Sequence, residues 1–149
     1  MNRFILLLAT GCGVGYAPIA PGTLGTLITI PIYYFFSAIP SPIYELTLIT
    51  LFFLSSWISG QAQNYWGRQD DSRIVIDEMM GFLITMLWLP KTIFSVITGF
   101  FLFRFFDIFK PFPIRRMEKK WKGGWGVVLD DVMAGVYANI LLHIIYLIP

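Results

Sequence analysis

Three groups of carboxylates stand where apolar runs begin or end: Asp77–Glu78 in IVIDEMMG, Asp107 in FFLFRFFDIFKP, and Asp130–Asp131 in GGWGVVLDDVMAG. Helix capping is the plain reading of Asp77, Glu78, Asp130 and Asp131, because an acid at a helix start meets the positive end of the dipole. Capping fails for Asp107, which closes an apolar run, where a negative charge is unfavourable. Asp107 needs a cation: Arg104, three residues earlier, is one candidate and a metal ion is another. If folding brings the groups to one depth, they repel one another strongly near lipid. A hard cation that takes oxygen ligands, Mg²⁺ or a close relative, relieves that repulsion. Asp77, Glu78, Asp107, Asp130 and Asp131 are therefore candidate metal ligands and catalytic acids, with caps and ion pairs as the other reading.

Two further stretches could meet an anion. In APGTLGT, residues 20–26, Thr23 reads as a helix N-cap and Gly22 as the point where backbone can approach a ligand. Free amides and the dipole make a helix start a phosphate site, although an ordinary capped helix explains the same residues. The stretch from Lys110 to Lys122, with Arg115, Arg116, Trp121 and Trp125, reads both as a membrane-surface anchor and as an attractor of anionic head groups. Lys110 and Arg115 are its candidate phosphate contacts.

Absences narrow the chemistry. The single histidine, His143, lies far from the acids in the last apolar run and reads as a packing residue, so a histidine nucleophile paired with a histidine acid is excluded. Cys12 lacks the arginine loop of a cysteine phosphatase, and no Asp-x-Asp pair follows a strand. Water activated by a metal remains.

The elements that must position these residues are membrane helices. The chain has 149 residues, enough for a single domain over 1–149, with 56% hydrophobic and 13% charged residues. Soluble domains carry about 25% charged residues, so lipid is the fitting solvent. Apolar runs cover 24–39, 46–59, 74–89, 91–107 and 132–148, broken by Pro40-Ser41-Pro42, Gly60, Pro90 and the basic loop. The third, 74–89, is short for a crossing: its 16 residues span ~24 Å as a helix, against ~30 Å of hydrocarbon. It could cross, or pair with the fourth as a hairpin that dips in. The N-terminal MNRFILLLATGC is too short in its apolar core for a lipoprotein signal and reads as a short helix against the bundle.

With a cytoplasmic N-terminus and alternating runs, Arg3, Arg68, Arg73, Arg104, Lys110, Arg115, Arg116, Lys119, Lys120 and Lys122 fall inside and only Lys91 outside. That bias fixes the orientation. Every acid except Glu45 also falls inside, which the positive-inside rule does not require. The expected fold is all-α, a small multi-pass bundle of four to five membrane helices with cytoplasmic catalytic loops.

GVGYAPIAPGTLGT at 13–26, IVIDEMMG at 74–81 and FFDIFKPFPIRRMEKKWKGGWGVVLDDVMAG at 105–135 resemble, in order, the bacterial phosphatidylglycerophosphatase A family. Ile76 stands where many relatives are expected to carry tryptophan. The resemblance implies Mg²⁺-dependent hydrolysis of phosphatidylglycerophosphate to phosphatidylglycerol at the cytoplasmic face of the bacterial inner membrane. It implies roles for the five acids, with Lys110 and Thr23 near the phosphate. Membrane lipids are the expected surroundings, with no nucleic acid and no obligate protein partner. The rivals are a phosphotransferase acting on CDP-lipids, whose Asp-Gly-x-x-Ala-Arg signature is missing, a small transporter, and a scaffold anchored by the basic loop.

Overall fold

The computed structural model describes residues 3–69, 71–121 and 123–148, apart from the side chains of 117–119. Asp70, Lys122 and the side chains of Glu118 and Lys119, all expected above on the inner side, lie outside the described residues. Among the described residues there are α-helices and one 3-10 turn, Val14–Tyr16, and no strand. The helices are α1 (Arg3–Ala9), α2 (Pro21–Phe36), α3 (Ser41–Trp66), α4 (Ile76–Thr85), α5 (Ile93–Phe109), α6 (Ile114–Lys120) and α7 (Gly124–Leu147).

A short helix, α4, is the centre of the bundle. α4 has ten residues, and Asp77, Met80, Gly81, Phe82, Leu83 and Thr85 are buried, so it hides most of its circumference. It packs against α2, α3, α5 and α7. Gly81 and Gly135 let α4 and α7 meet backbone to backbone. A Cβ at Gly135 would lie 2.3 Å from the Gly81 carbonyl oxygen, and one at Gly81 would lie 2.7 Å from that of Asp131. Small residues permit this approach where no hydrophobic effect between helices can drive it. Asp131, Gly135 and Asn139 lie four apart and share one face. They meet Asp77, Gly81 and Thr85 in matching order, so α4 and α7 run parallel and bring Asp77 and Asp131 to the same end.

Ten residues reach only ~15 Å, so α4 cannot cross a bilayer as a helix. The chain continues through an irregular stretch, 86–92, to the far end of the bundle. There Lys91 donates to the carbonyl of Ser37, just past α2, and Trp88 Nε1 donates to Glu45 near the start of α3 (2.7 Å). Irregular backbone inside a bundle persists only where its polar groups find partners. Asn139 is such a partner: its Nδ2 donates to the carbonyls of Thr85 (2.9 Å) and Leu87 (2.8 Å). Asn139→Leu strands both carbonyls at about 1–3 kcal/mol each. A lowered thermal melt in detergent, with substrate affinity retained, is the expected result.

Two helices, α3 and α7, are long and apolar enough to cross a membrane, and 33% and 39% of their most apolar windows are buried in the fold. Most of both surfaces therefore faces outward. α5 adds an outward row of Ile93, Phe94, Ile97, Phe101, Phe105 and Ile108, each at least half exposed. In water such a continuous apolar row would be a liability, whereas lipid solvates it.

The sequence boundaries shift at three places. α3 starts at Ser41, inside the expected break, with proline in its first turn, and it runs through Gly60 to Trp66 instead of ending at residue 59. α2 begins at Pro21, with Ala20 as its cap in the left-handed region (φ 48°), so Thr23 is not the N-cap. Proline at the first helical position starts the helix early because its missing N–H has no partner to lose. α7 begins at Gly124, six residues before Asp130. Asp130 and Asp131 thus sit in its second and third turns and cap nothing. The glycines that read as loop are needed there for packing: a Cβ at Gly124 would lie 2.0 Å from the carbonyl oxygen of Ser56 on α3.

Candidate active site

At the end of the bundle where α2, α4 and α7 begin and α5 finishes, a cavity of about 290 Å³ opens. Ala20, Pro21 and Gly22 line it from α2, Asp77 and Glu78 from α4, Arg104 and Asp107 from α5, Lys110 from the following turn, and Asp130 and Asp131 from α7. Two of the described non-glycine residues with positive φ, Ala20 and Lys110 (φ 43°), are on its wall. Strain of that kind persists where the surrounding structure over-determines it, and it concentrates at functional sites.

The carboxylates divide into two sets. Asp77, Glu78 and Asp131 each offer an oxygen, and these oxygens lie within 4.8 Å of one another. Asp107 and Asp130 are each met by a cation instead: Arg104 Nη1 lies 2.6 Å from Asp107 Oδ2, and Lys110 Nζ lies 2.5 Å from Asp130 Oδ2. Arg104 Nη1 also stands 3.8 Å from Glu78 Oε1. The cation that Asp107 needs at its helix C-terminus is therefore Arg104.

The first set fits a divalent metal. Its donors are all hard oxygens, the chemistry Mg²⁺ takes. Asp77 and Asp131 are 5% exposed, too buried to lean on water for charge compensation. Glu78 Oε2 is buried without a hydrogen-bond partner, an acceptor left for a ligand outside the chain. Gly22 leaves room for this arrangement, since a Cβ there would lie 1.9 Å from Glu78 Oε1.

Of the residues singled out from sequence, the structure brings Gly22, Asp77, Glu78, Asp107, Lys110, Asp130 and Asp131 to one cavity. Thr23 is half-buried within α2 and not on the cavity wall. Arg115 lines the adjoining cavity instead. Sequence reasoning missed Arg104 as a site residue, having treated it only as a partner for Asp107. Its Nε is buried in the cavity wall without a hydrogen-bond partner. The available signal was a lone arginine inside FFLFRFF, since an ionisable group in an apolar run is a functional candidate by default. His143 bonds the backbone of its own helix, Nδ1 to the Asn139 carbonyl (2.9 Å), away from the acids.

The loop before α4 is braced separately. Arg73 donates twice to Asp71 (2.7 Å each) and stacks over Trp66 at 4.2 Å. Those hydrogen bonds hold the Asp71 carboxyl below its usual range. Asp71 is thus committed to the loop.

A family model described as Phosphatidylglycerophosphatase A matches residues 7–146. A Bacteroides thetaiotaomicron protein provisionally named a phosphatidylinositol-3-phosphatase is 42% identical over 147 residues, covering 93% of this chain and 91% of that protein. Phosphatidylglycerophosphatase A of Escherichia coli K12 is 37% identical over 140 residues, covering 93% of this chain and 81% of the relative. That of Haemophilus influenzae is 37% identical over 143 residues, covering 95% and 88%. No solved structure matches the chain.

Proposed function

The chain belongs to the phosphatidylglycerophosphatase A family, and from that premise we propose how its cavity removes the terminal phosphate of phosphatidylglycerophosphate. The observation that carries the reading is the meeting of three clustered carboxylates with Arg104 and Lys110 in one cavity. The enzyme is a phosphoric monoester hydrolase, and phosphatidylglycerol and inorganic phosphate are its products.

Asp77, Glu78 and Asp131 would hold Mg²⁺, which when bound supplies positive charge against the phosphate and acidifies water. Arg104 faces the monoester with a guanidinium, whose donors match phosphate oxygens. Asp107 and Glu78 fix that guanidinium so that little reorganisation is needed as charge moves toward the leaving oxygen. Lys110, held by Asp130, offers a second positive charge on the cavity wall.

The setting is a bacterial inner membrane with the site on its cytoplasmic face, crossed by α2, α3, α5 and α7 and by the segment from α4 through residue 92. The charge split supports this. Arg73, Arg104, Lys110, Arg115 and Arg116 belong to the site end or its loops, while Lys91 and Glu45 lie at the other. A lipid head group rests at that boundary and arrives by lateral diffusion.

A second substrate is favoured by one observation, the 42% identity to a protein named for phosphatidylinositol 3-phosphate. Both lipids end in a phosphate monoester, so the same carboxylates and cations serve either. The decisive measurement is phosphate release from the two lipids side by side by purified protein in neutral detergent. Release from phosphatidylglycerophosphate should vanish after chelation and return with Mg²⁺. Full release in excess chelator would remove the metal from the mechanism, and no release from either lipid would remove the phosphatase reading.

A further inference from the structure

Beside the acidic cavity lies a second of about 400 Å³, lined by Phe109, Lys110, Pro111, Phe112, Arg115 and Arg116. Its chemistry differs from the first: among the described residues, three cations line it and no carboxylate does. Lys110 is on the wall of both, so the two cavities adjoin through one side chain. We propose that this second cavity is a phosphodiester subsite, which seats the inner phosphate of the substrate lipid while the terminal monoester reacts among the carboxylates. The proposal rests on the phosphatase reading and adds the group by which the enzyme tells its substrate from other lipid monoesters.

The loop is built to hold its place. Ile114 is fully buried and anchors α6, and Tyr137 on α7 donates to the Phe112 carbonyl (3.1 Å). The guanidiniums on this anchor remain open to a ligand. Arg116 lies over the Phe112 ring at 4.9 Å, and Arg115 reaches back to the Phe109 carbonyl at 3.5 Å, a long contact that a phosphate oxygen would replace. Phe109 and Phe112 are 63% and 70% exposed beside them. Aromatic rings suit the interfacial zone where head group passes into acyl chain.

The substrate has the matching form. Phosphatidylglycerophosphate carries a terminal monoester and, one glycerol unit nearer the acyl chains, a phosphodiester with a single negative charge. Phosphatidylinositol 3-phosphate likewise carries both. A diester monoanion suits guanidinium donors, which Arg115 and Arg116 supply here. Phosphatidic acid has a monoester and acyl chains but no second phosphate, so it leaves this cavity empty.

The test compares phosphatidylglycerophosphate with phosphatidic acid of the same acyl chains, at low mole fraction in neutral micelles, for the full chain and for R115Q/R116Q. The ratio of kcat/KM for the two lipids should fall about tenfold or more in the variant, the loss expected for charge-assisted contacts. Both guanidiniums are exposed, so the melt should not move. Phosphatidylglycerol, which keeps the diester and lacks the monoester, should inhibit the wild type competitively and the variant less. Parallel loss on both substrates, unchanged inhibition by phosphatidylglycerol, or a defect confined to anionic vesicles and absent in micelles would each overturn the subsite and leave the basic loop a membrane anchor. Failure of the wild type to release phosphate from either lipid would instead overturn the phosphatase reading beneath it.

Discussion

Asp131→Asn should lower phosphate release roughly a thousandfold, about 4 kcal/mol of transition-state stabilisation, while the protein melts no lower than wild type. The two outcomes have one cause. Asp131 is 5% exposed and shares a 4.8 Å cluster with Asp77 and Glu78. Without a cation, that cluster sets buried negative charge against buried negative charge, and removing one member relieves the repulsion. Asparagine keeps the shape and loses the charge. A cap reading predicts a small effect on both quantities, but α7 starts at Gly124, so Asp131 has no terminus to cap. The amide should also raise the Mg²⁺ concentration needed for half-maximal rate, because a ligand charge is gone. A rate near wild type would take Asp131 out of the site. A melt that falls steeply with the rate would make its role structural.

The positions of the acids were legible because charge in an apolar sequence is costly and therefore stands out. Asp107 was the most informative, since its place at a helix end contradicts the dipole and demands a cation. What the sequence hid was tertiary. Gly123-Gly124-Trp125-Gly126 reads as a loop from propensity, yet α7 runs through Gly124 because α3 passes within backbone contact of it. Run three reads as a marginal crossing helix. In the fold it is a ten-residue helix followed by irregular backbone, which persists because Asn139, from more than fifty residues away, donates to its open carbonyls. Thr23 looked like a cap by type, but Pro21 had already started the helix. Arg104 was read as half of an ion pair because spacing along one helix shows Asp107 and cannot show Glu78, Gly22 or the cavity between them.

Arg104 is where ion pair and catalysis can be separated by experiment. Its Nη1 is 2.6 Å from Asp107 Oδ2 and 3.8 Å from Glu78 Oε1, and its Nε lies buried with no partner. Arg104→Gln removes the charge and leaves Asp107 uncompensated, so it should lower both the melt and the rate, whichever role the guanidinium has. The double variant Arg104→Gln/Asp107→Asn divides the two. It removes the pair together, and removal of a whole buried pair is often neutral for stability where breaking one is not. Its melt should therefore recover most of what the single variant loses, a coupling that a double-mutant cycle reads directly. Its rate should not recover. A guanidinium that meets the monoester is absent from both variants, and loss of one preorganised donor to developing charge costs about a hundredfold to a thousandfold. Arg104→Lys should sit between, since an ammonium restores charge without the planar fork. The measurements are phosphate release and thermal melting in detergent on wild type, Arg104→Gln, Asp107→Asn, Arg104→Lys and the double variant. Recovery of rate together with stability in the double variant would reduce Arg104 to the partner of Asp107 and leave Lys110 as the cation of the site.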